Sequence, residues 1–342
     1  MEETILSLYK EMMNAPHLVI LGAGATVAAI PNGDKHGKKS PTMKGFFETT
    51  GLKELYEEIK LESKEDDLEA VYSELYSLPQ YISLLKKLEN GIVDYFKTMQ
   101  LPDYMTVYDY LVVALTGKDC IASFNWDPLL IQAYDRISKK ITNNLPELLF
   151  LHGNVNIGLC NDCKRYRPLQ NKYCDKCGKQ LIMPKLLYPV KEKDYNTDMF
   201  IKDQWDKFKR YISKSGLVTF FGYSFPLSDE AAREAIISIY SSKFRKLEII
   251  EVIDINKDDK SFQDNWNDFY KPTNGHIKFV KSFWDSIIAE YPRRTSQGYT
   301  KWAMGCWNGS DLSLQEQRSI LELRRLISPL LKEEIKRLTP KL

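Results

Sequence analysis

The stretch His17-Leu-Val-Ile-Leu-Gly-Ala-Gly-Ala-Thr26 joins an apolar, β-branched run to a glycine turn. This is the pattern of a buried strand entering a tight turn ahead of a helix. Gly22 and Gly24 let the backbone turn sharply and approach a phosphate, and the N-terminus of the next helix offers N–H groups and a positive dipole end. A three-glycine dinucleotide fingerprint would have its last glycine at position 27, where this chain has Val27. The same two glycines also suit an ordinary strand–turn–helix joint, so the fold has to be read from the rest of the chain.

Strand-like runs recur at Cys120–Phe124, Leu148–Leu151, Leu217–Phe221 and Leu247–Ile253, and His276–Val280 reads as one more. Helical stretches at Pro128–Lys140, Met199–Ser213 and Ser228–Lys243 separate several of them. Mostly apolar strands alternating with helices predict an α/β fold, a parallel sheet with helices on both faces. Residues 52–115 read as a helical insertion, with Leu52, Leu55, Tyr56 and Ile59 on one face and Leu68, Val71, Tyr72 and Leu75 on another. Thr106 followed by Asp109 reads as a helix start, and Asn32–Thr42 as an exposed loop. Near the C-terminus, Ser313-Leu-Gln-Glu316 reads as a capping box. The helix after it carries Ile320, Leu323, Ile327, Leu330 and Leu331 along one face, with Pro329 as a kink or break. That face serves either packing on the chain's own domain or docking of a partner.

Hydrophobic residues make up 43% and charged residues 27% of the 342 positions, which excludes wholesale disorder. The 48 Lys plus Arg and 46 Asp plus Glu leave a net charge of +2, with no general attraction for nucleic acid or anionic membrane. Met1-Glu2-Glu3 is acidic where a secretory signal is basic, and Leu18–Ile30 is too short to span a bilayer. These features predict a soluble, cytoplasmic protein without a membrane partner. Four of the six cysteines, Cys160, Cys163, Cys174 and Cys177, form C-x2-C-x10-C-x2-C. Two such knuckles supply four thiolates for a tetrahedral, structural Zn2+ with no open position, and an iron–sulfur cluster is the alternative. Lys164, Arg165, Lys172, Lys176 and Lys179 surround them and read as a solvated face rather than a nucleic-acid contact.

Several predicted strands end in small or polar residues, and in an open α/β sheet the ligand crevice lies at such ends. Asn125 and Asp127 come after one strand, His152 after a second, Gly222 and Ser224 after a third, and Asp254 and Asn256 after a fourth. Each has a plain reading as a cap or turn. A histidine is the side chain best suited to take a proton near neutral pH, and only four occur.

The order Gly-Ala-Gly-Ala-Thr, Phe-Asn-Trp-Asp, His-Gly, C-x2-C…C-x2-C, Gly-Tyr-Ser, Ile-Asp-Ile-Asn resembles the sirtuin family over about residues 14–285. The eight-residue step from His152 to Cys160 matches the sirtuin arrangement as well. The resemblance implies a Rossmann-like NAD+-binding domain in two parts, 1–157 and 185–299, with a zinc-ribbon module inserted at 158–184 and a C-terminal helical extension at 300–342 outside it. It implies Gly22, Ala23, Gly24 and Thr26 at the pyrophosphate, Asn125 and Asp127 at the nicotinamide and its ribose, and His152 as the base. Gly222, Ser224, Asp254 and Asn256 would hold the adenosine half.

Departures from the protein-deacylating members decide the expected activity. Asn32-Gly33-Asp34-Lys35 lacks the Arg of their Asp-Phe-Arg segment, and Leu186-Leu-Tyr188-Pro189 replaces the Phe-Gly-Glu strand on which an acyl-lysine peptide docks. Trp126 stands where a wall of the nicotinamide pocket is expected. The Asn-Trp-Asp and Gly-Tyr-Ser-Phe-Pro forms look like divergent sirtuin-like domains of bacterial antiviral defence, which hydrolyse NAD+ outright. The zinc quartet points the other way, because many of those domains lack it. The expectation is an NAD+ hydrolase that forms a homo-oligomer and works with an ATPase, translocase or other defence-system partner. An NAD+-dependent protein deacylase and a non-catalytic ADP-ribose or NAD+ sensor are the alternatives.

Overall fold

The computed structural model describes residues 14–55, 57, 61, 66–189, 198–225, 230–240, 249–269, 276–303, 312–317 and 319–338. Among them, eight strands form: β1 (His17–Leu21), β2 (Cys120–Ser123), β3 (Glu147–Phe150), β4 (Ile157–Cys160), β5 (Arg165–Pro168), β6 (Leu217–Phe221), β7 (Ile249–Ile253) and β8 (Ile277–Val280). Six make one sheet in the order β3-β2-β1-β6-β7-β8, and every neighbouring pair is parallel. The chain winds outward from β1 to β3, then returns to the other side of β1 and winds outward again. That is a doubly wound sheet, with its switch point between β1 and β6. Every residue of β1, β2, β6 and β7 is buried, as in a parallel sheet covered on both faces, which explains their unbroken apolar sequences. β4 and β5 pair antiparallel to each other outside this sheet, in the cysteine segment.

The helices are α1 (Ala23–Ala29), α2 (Phe46–Thr50), α3 (Leu68–Ser77), α4 (Ile82–Lys97), α5 (Val107–Ala114), α6 (Leu129–Lys140), α7 (Met199–Lys214), α8 (Glu230–Tyr240), α9 (Lys260–Asp264), α10 (Ile287–Glu290), α11 (Thr295–Ala303) and α12 (Ile320–Leu338). α3 to α5 fall within residues 52–115, the stretch between β1 and β2 that reads as a helical insertion, and α2 precedes it. Leu68, Val71, Tyr72 and Leu75 form the buried face of α3. Leu52 and Leu55 pack partly buried on the main core. Tyr56, Ile59, Leu247, Cys306 and the ends of the Ser228–Lys243 run lie outside the described residues. The Thr106–Asp109 capping box is present, and Arg136 of α6 pairs with Asp109 from beside it. The loop after α1 is less exposed than its sequence suggests. Asp34 is 5% exposed and accepts from the backbone N–H groups of His36, Lys38 and Gln100 at 2.8, 2.9 and 2.9 Å.

Two C-terminal expectations need correction. Ser313 caps no helix. Leu314 donates its N–H to Ala289 O at 2.6 Å and Gln317 donates to the Tyr110 hydroxyl at 2.6 Å, so tertiary bonds hold this segment in a non-helical conformation. The helix starts later, with Ser319 Oγ accepting from Glu322 N at 3.3 Å, and it runs on through Pro329 without a break. Leu323, Ile327 and Leu330 are buried, and Ile320 and Leu331 pack partly buried on the main core. The apolar face that a partner could have used is covered by the chain's own domain.

A polar row crosses the core beneath β1, β6, β7 and β8. His17 Nε2 lies 2.8 Å from Thr219 Oγ1, and Thr219 donates to Glu251 Oε2 at 3.3 Å. Glu251 Oε1 accepts from Lys278 Nζ at 3.2 Å and from Ile287 N at 2.9 Å. Since the threonine proton goes to Glu251, His17 must donate through Nε2, which leaves Nδ1 bare in a neutral ring. Burial, with Lys118 nearby, holds the His17 pKa down at about 3. The unfolded chain therefore takes up a proton near pH 6.5 that the folded one refuses, and stability falls as pH drops from about 6.5 toward about 3. Burial raises Asp119 and Glu251, which act with the opposite sign. A comparison isolates the histidine: between pH 7 and pH 5, wild type should lose about 2 kcal/mol relative to His17→Gln in urea melts. Parallel stability profiles would contradict a neutral buried His17.

Candidate active site

Strand register brings the predicted site residues together. Leu21, Ser123, Phe150, Phe221, Ile253 and Val280 form one row across the sheet. The ladder runs one residue further: Phe124 N bonds Leu21 O, Leu151 N bonds Ser123 O, Gly222 N bonds Ile253 O and Asp254 N bonds Val280 O, at 2.9–3.0 Å. The adjacent ends of β3, β2, β1, β6 and β7 thus form one row on the carboxyl edge, with Gly22, Gly222 and Asp254 one residue past the paired strands and His152 and Asn125 two residues past them. At about 4.8 Å per strand this row spans about 19 Å, with the switch point inside it.

The glycines at the switch point interlock. Gly222 has φ +59, and a Cβ there would sit 2.1 Å from Ala25 N. A Cβ on Gly22 would sit 2.5 Å from Gly222 O, and one on Gly24 2.8 Å from Gly222 Cα. Gly22 N donates to Phe221 O at 3.1 Å, and Gly24 N to Gly222 O at 2.9 Å. The room freed by omitting these side chains is taken by the loop after β6, so the two turns form one unit.

A buried hydrogen-bonded cluster stands behind that unit. Thr26 donates to Asp127 Oδ2 at 2.8 Å, and its hydroxyl oxygen then accepts from Tyr108 at 2.7 Å and from Asn125 Nδ2 at 3.0 Å. Asn125 Nδ2 also donates to Gly22 O at 2.8 Å. A backbone carbonyl can only accept, which fixes the amide orientation. Both amide hydrogens point inward, so what Asn125 offers a ligand is the acceptor Oδ1. Asp127 is 3% exposed, and its other oxygen accepts from Leu129 N at 3.0 Å. Burial raises its pKa, while the Thr26 and Leu129 donors hold it down. Burial and the nearby Asp127 charge push the Tyr108 phenol well up, so it remains a donor. Tyr108 carries no signal in the sequence beyond lying two residues after the Thr106 cap, in an apolar run.

Aromatic rings line the other flank. The His152 ring lies 4.7 Å from that of Phe124, edge to face, and Phe124 stacks on Tyr223 at 4.9 Å. His152 is partly buried and its carbonyl accepts from Leu187 N at 3.0 Å. Trp126 packs between Phe96 and Tyr188 at 5.9 and 5.5 Å, and Tyr188 stacks on Tyr72 at 5.1 Å. On the far side of the switch point, Ser224 is exposed, Asp254 partly buried and Asn256 exposed, with Asn256 N donating to Asp254 Oδ1 at 2.9 Å. Burial raises the Asp254 pKa. Pro226 and Asp229 lie outside the described residues.

The four cysteine sulfurs gather within 4.8 Å of one another. Ligands at about 2.3 Å around a tetrahedral ion lie about 3.8 Å apart, so the set fits Zn2+. Arg165 and Arg167 pair with Asp175 and Lys179 with Asp162, so two carboxylates offset part of the basic character seen in sequence. No helix among the described residues is long and apolar enough to cross a membrane.

No family model and no curated protein matches the sequence. Solved structures are similar over most of the chain at low identity. A Sir2 homolog–NAD complex is 17% identical, with 87% of this chain and 94% of that chain covered and a TM-score of 0.42. A structure described as "Structural Basis for the Mechanism and Regulation of Sir2 Enzymes" is 15% identical over 88% of this chain and 100% of that chain, with a TM-score of 0.41. One described as "The Structural basis for Sirtuin Substrate affinity" is 15% identical over 90% and 100%, with a TM-score of 0.35. This chain itself has an α/β fold with a six-stranded parallel sheet, a helical region and an inserted four-cysteine cluster.

Proposed function

We propose that this chain binds NAD+ along the carboxyl edge of the sheet and hydrolyses its nicotinamide–ribose bond. The observation that carries this reading is the row of five adjacent strand ends across the switch point, with Gly22, Gly222 and Asp254 one residue past the paired strands and His152 and Asn125 two residues past them. A row of about 19 Å matches an extended dinucleotide rather than a mononucleotide. In this reading Asp254, Asn256 and Ser224 hold the adenosine half. Gly22, Ala23 and Gly24 border the pyrophosphate, with Thr26 buried behind them rather than at the ligand, and His152 and Asn125 flank the nicotinamide ribose.

The chemistry suits those groups. The C–N bond breaks with its electron pair going to the nicotinamide nitrogen, which leaves neutral and needs no acid. Water forms the new C–O bond, and its proton passes to His152. Asn125 Oδ1 is an acceptor that orients the ribose or the water. Asp127 acts by positioning, since its carboxylate is committed to Thr26 and Leu129 N.

The segment after the cysteine module favours hydrolysis over peptide deacylation. A docked peptide strand needs free backbone groups along the segment that receives it. Here Leu187 N is bonded to His152 O, Pro189 has no N–H, and Pro189 O accepts from Ser73 at 3.4 Å. Tyr188 is clasped between Tyr72 and Trp126. With the Asn-Trp-Asp and Gly-Tyr-Ser forms, this supports an NAD+-depleting effector of antiviral defence, held in check by a homo-oligomer or an ATPase-type partner. The cysteine cluster carries a structural zinc.

Purified protein given NAD+ without peptide should release free ADP-ribose and nicotinamide. His152→Ala should lower kcat by at least about 100-fold with an unchanged melting temperature. Turnover only with an acyl-lysine peptide would favour the deacylase, and binding without turnover in the presence of the native partner would favour a sensor. Metal analysis should find one zinc per chain, and a strong chelator should lower the melting temperature. A metal-free protein that melts unchanged would remove the zinc assignment.

A further inference from the structure

Helix α5 touches the site at one end and the C-terminal segment at the other. At its start, buried Tyr108 donates into the Thr26–Asp127–Asn125 cluster. At its end, the last carbonyls have no partner within the helix and need donors from elsewhere. Arg293 supplies them. Its backbone N donates to Ala114 O at 2.5 Å, and Nη1 donates to Val113 O and Leu115 O at 3.0 and 3.1 Å.

The rest of the Arg293 fork reaches the C-terminal helix. Nε and Nη2 donate to the two Glu334 oxygens at 2.5 and 2.7 Å, and Nη2 also donates to Asn144 O at 3.0 Å. All five guanidinium hydrogens are thus used by a side chain with no exposure, on a backbone at φ +62. A non-glycine residue persists there because its surroundings over-determine it. Midway along α5, the Tyr110 hydroxyl accepts from Gln317 N at 2.6 Å and donates to Gln317 O at 3.2 Å, while its ring packs on Trp284 at 4.8 Å.

We propose that Tyr108 is a positioning residue of the site and that the C-terminal segment, residues 312–338, sets its placement through α5. The role of the site rests on the NAD+ reading above; the mechanical coupling does not. An eight-residue helix is about 12 Å long and moves as a unit. The Asp109–Arg136 pair fixes its first turn laterally. The contacts of Arg293 and Gln317 fix its rotation and its position along its axis, and those determine where the Tyr108 hydroxyl meets Thr26. Thr26 in turn holds the Asn125 amide, so release of the segment would loosen the orientation of Asn125 Oδ1 without touching a ligand. The extension beyond the sirtuin-like part thereby becomes a lever on that site.

The full-length chain tests this with Tyr110→Phe, which keeps the ring on Trp284 and deletes only the hydroxyl. Hydrogen exchange needs no substrate: amides of the turn at 22–27 and of 124–127 should exchange faster in Tyr110→Phe than in wild type. Unchanged exchange there overturns the coupling whatever the protein does to NAD+. With NAD+, Tyr108→Phe should lower kcat about tenfold, the worth of one hydrogen bond, with KM within about twofold. Tyr110→Phe should lower kcat by a smaller factor, and adding it to Tyr108→Phe should cost nothing further. Additive losses, or a change in KM alone, would overturn the proposal. Wild type that neither binds nor turns over NAD+ but shows the exchange coupling would defeat the NAD+ reading and leave the lever standing.

Discussion

The backbones of Gly22, Gly24 and Gly222 touch across the switch point with no side chain between them, and the placement of the polar cluster depends on that contact. It ties the turn after β1 to the turn after β6, which come from parts of the chain some two hundred residues apart. Without it, the two halves of the doubly wound sheet would diverge at the place where a ligand could bridge them. Any side chain at Gly222 would drive a carbon into the Ala25 amide. The turn after β1 is thereby held, and Thr26, on the first turns of α1, is delivered to a defined place.

From that anchor the polar cluster builds outward. Thr26 hands its proton to Asp127 and gathers the hydroxyl of Tyr108 and the amide of Asn125. Every donor direction is set by which atoms can only accept. The outcome is a candidate site of small chemistry, the Asn125 carbonyl and the partly buried His152 ring, backed by a large buried apparatus. Such division suits a reaction with a neutral leaving group, where orientation matters more than acid catalysis.

Much of this was legible in the sequence. The strands were visible because a doubly covered parallel sheet demands unbroken apolar runs, and β1 and β6 fall where those runs fall. The cysteine spacing announced a four-thiolate cluster, because two knuckles can close on one ion only from such spacing. Strand ends with polar residues lie along one edge, since a parallel sheet puts all its carboxyl ends there. The C-terminal capping box failed because a local cap bond is worth little beside the buried Leu314 and the Tyr110 contacts that hold the same residues in a non-helical conformation.

The sequence by itself determined the alternation of elements, the cysteine ligand set and the identities of the residues that meet at the sheet edge. Only the tertiary structure decided what those residues do to one another. Asp127 turned inward to Thr26, Tyr108 emerged as a member of the site, and the C-terminal helix laid its apolar face on its own domain. The physical reason is that periodicity and spacing report local geometry, whereas hydrogen-bond partners and covered faces are fixed by segments that are distant in the chain. Arg293 shows this most plainly: an ordinary residue in the sequence, it ties the end of α5 to Glu334 of α12 and to Asn144 O through its N–H groups.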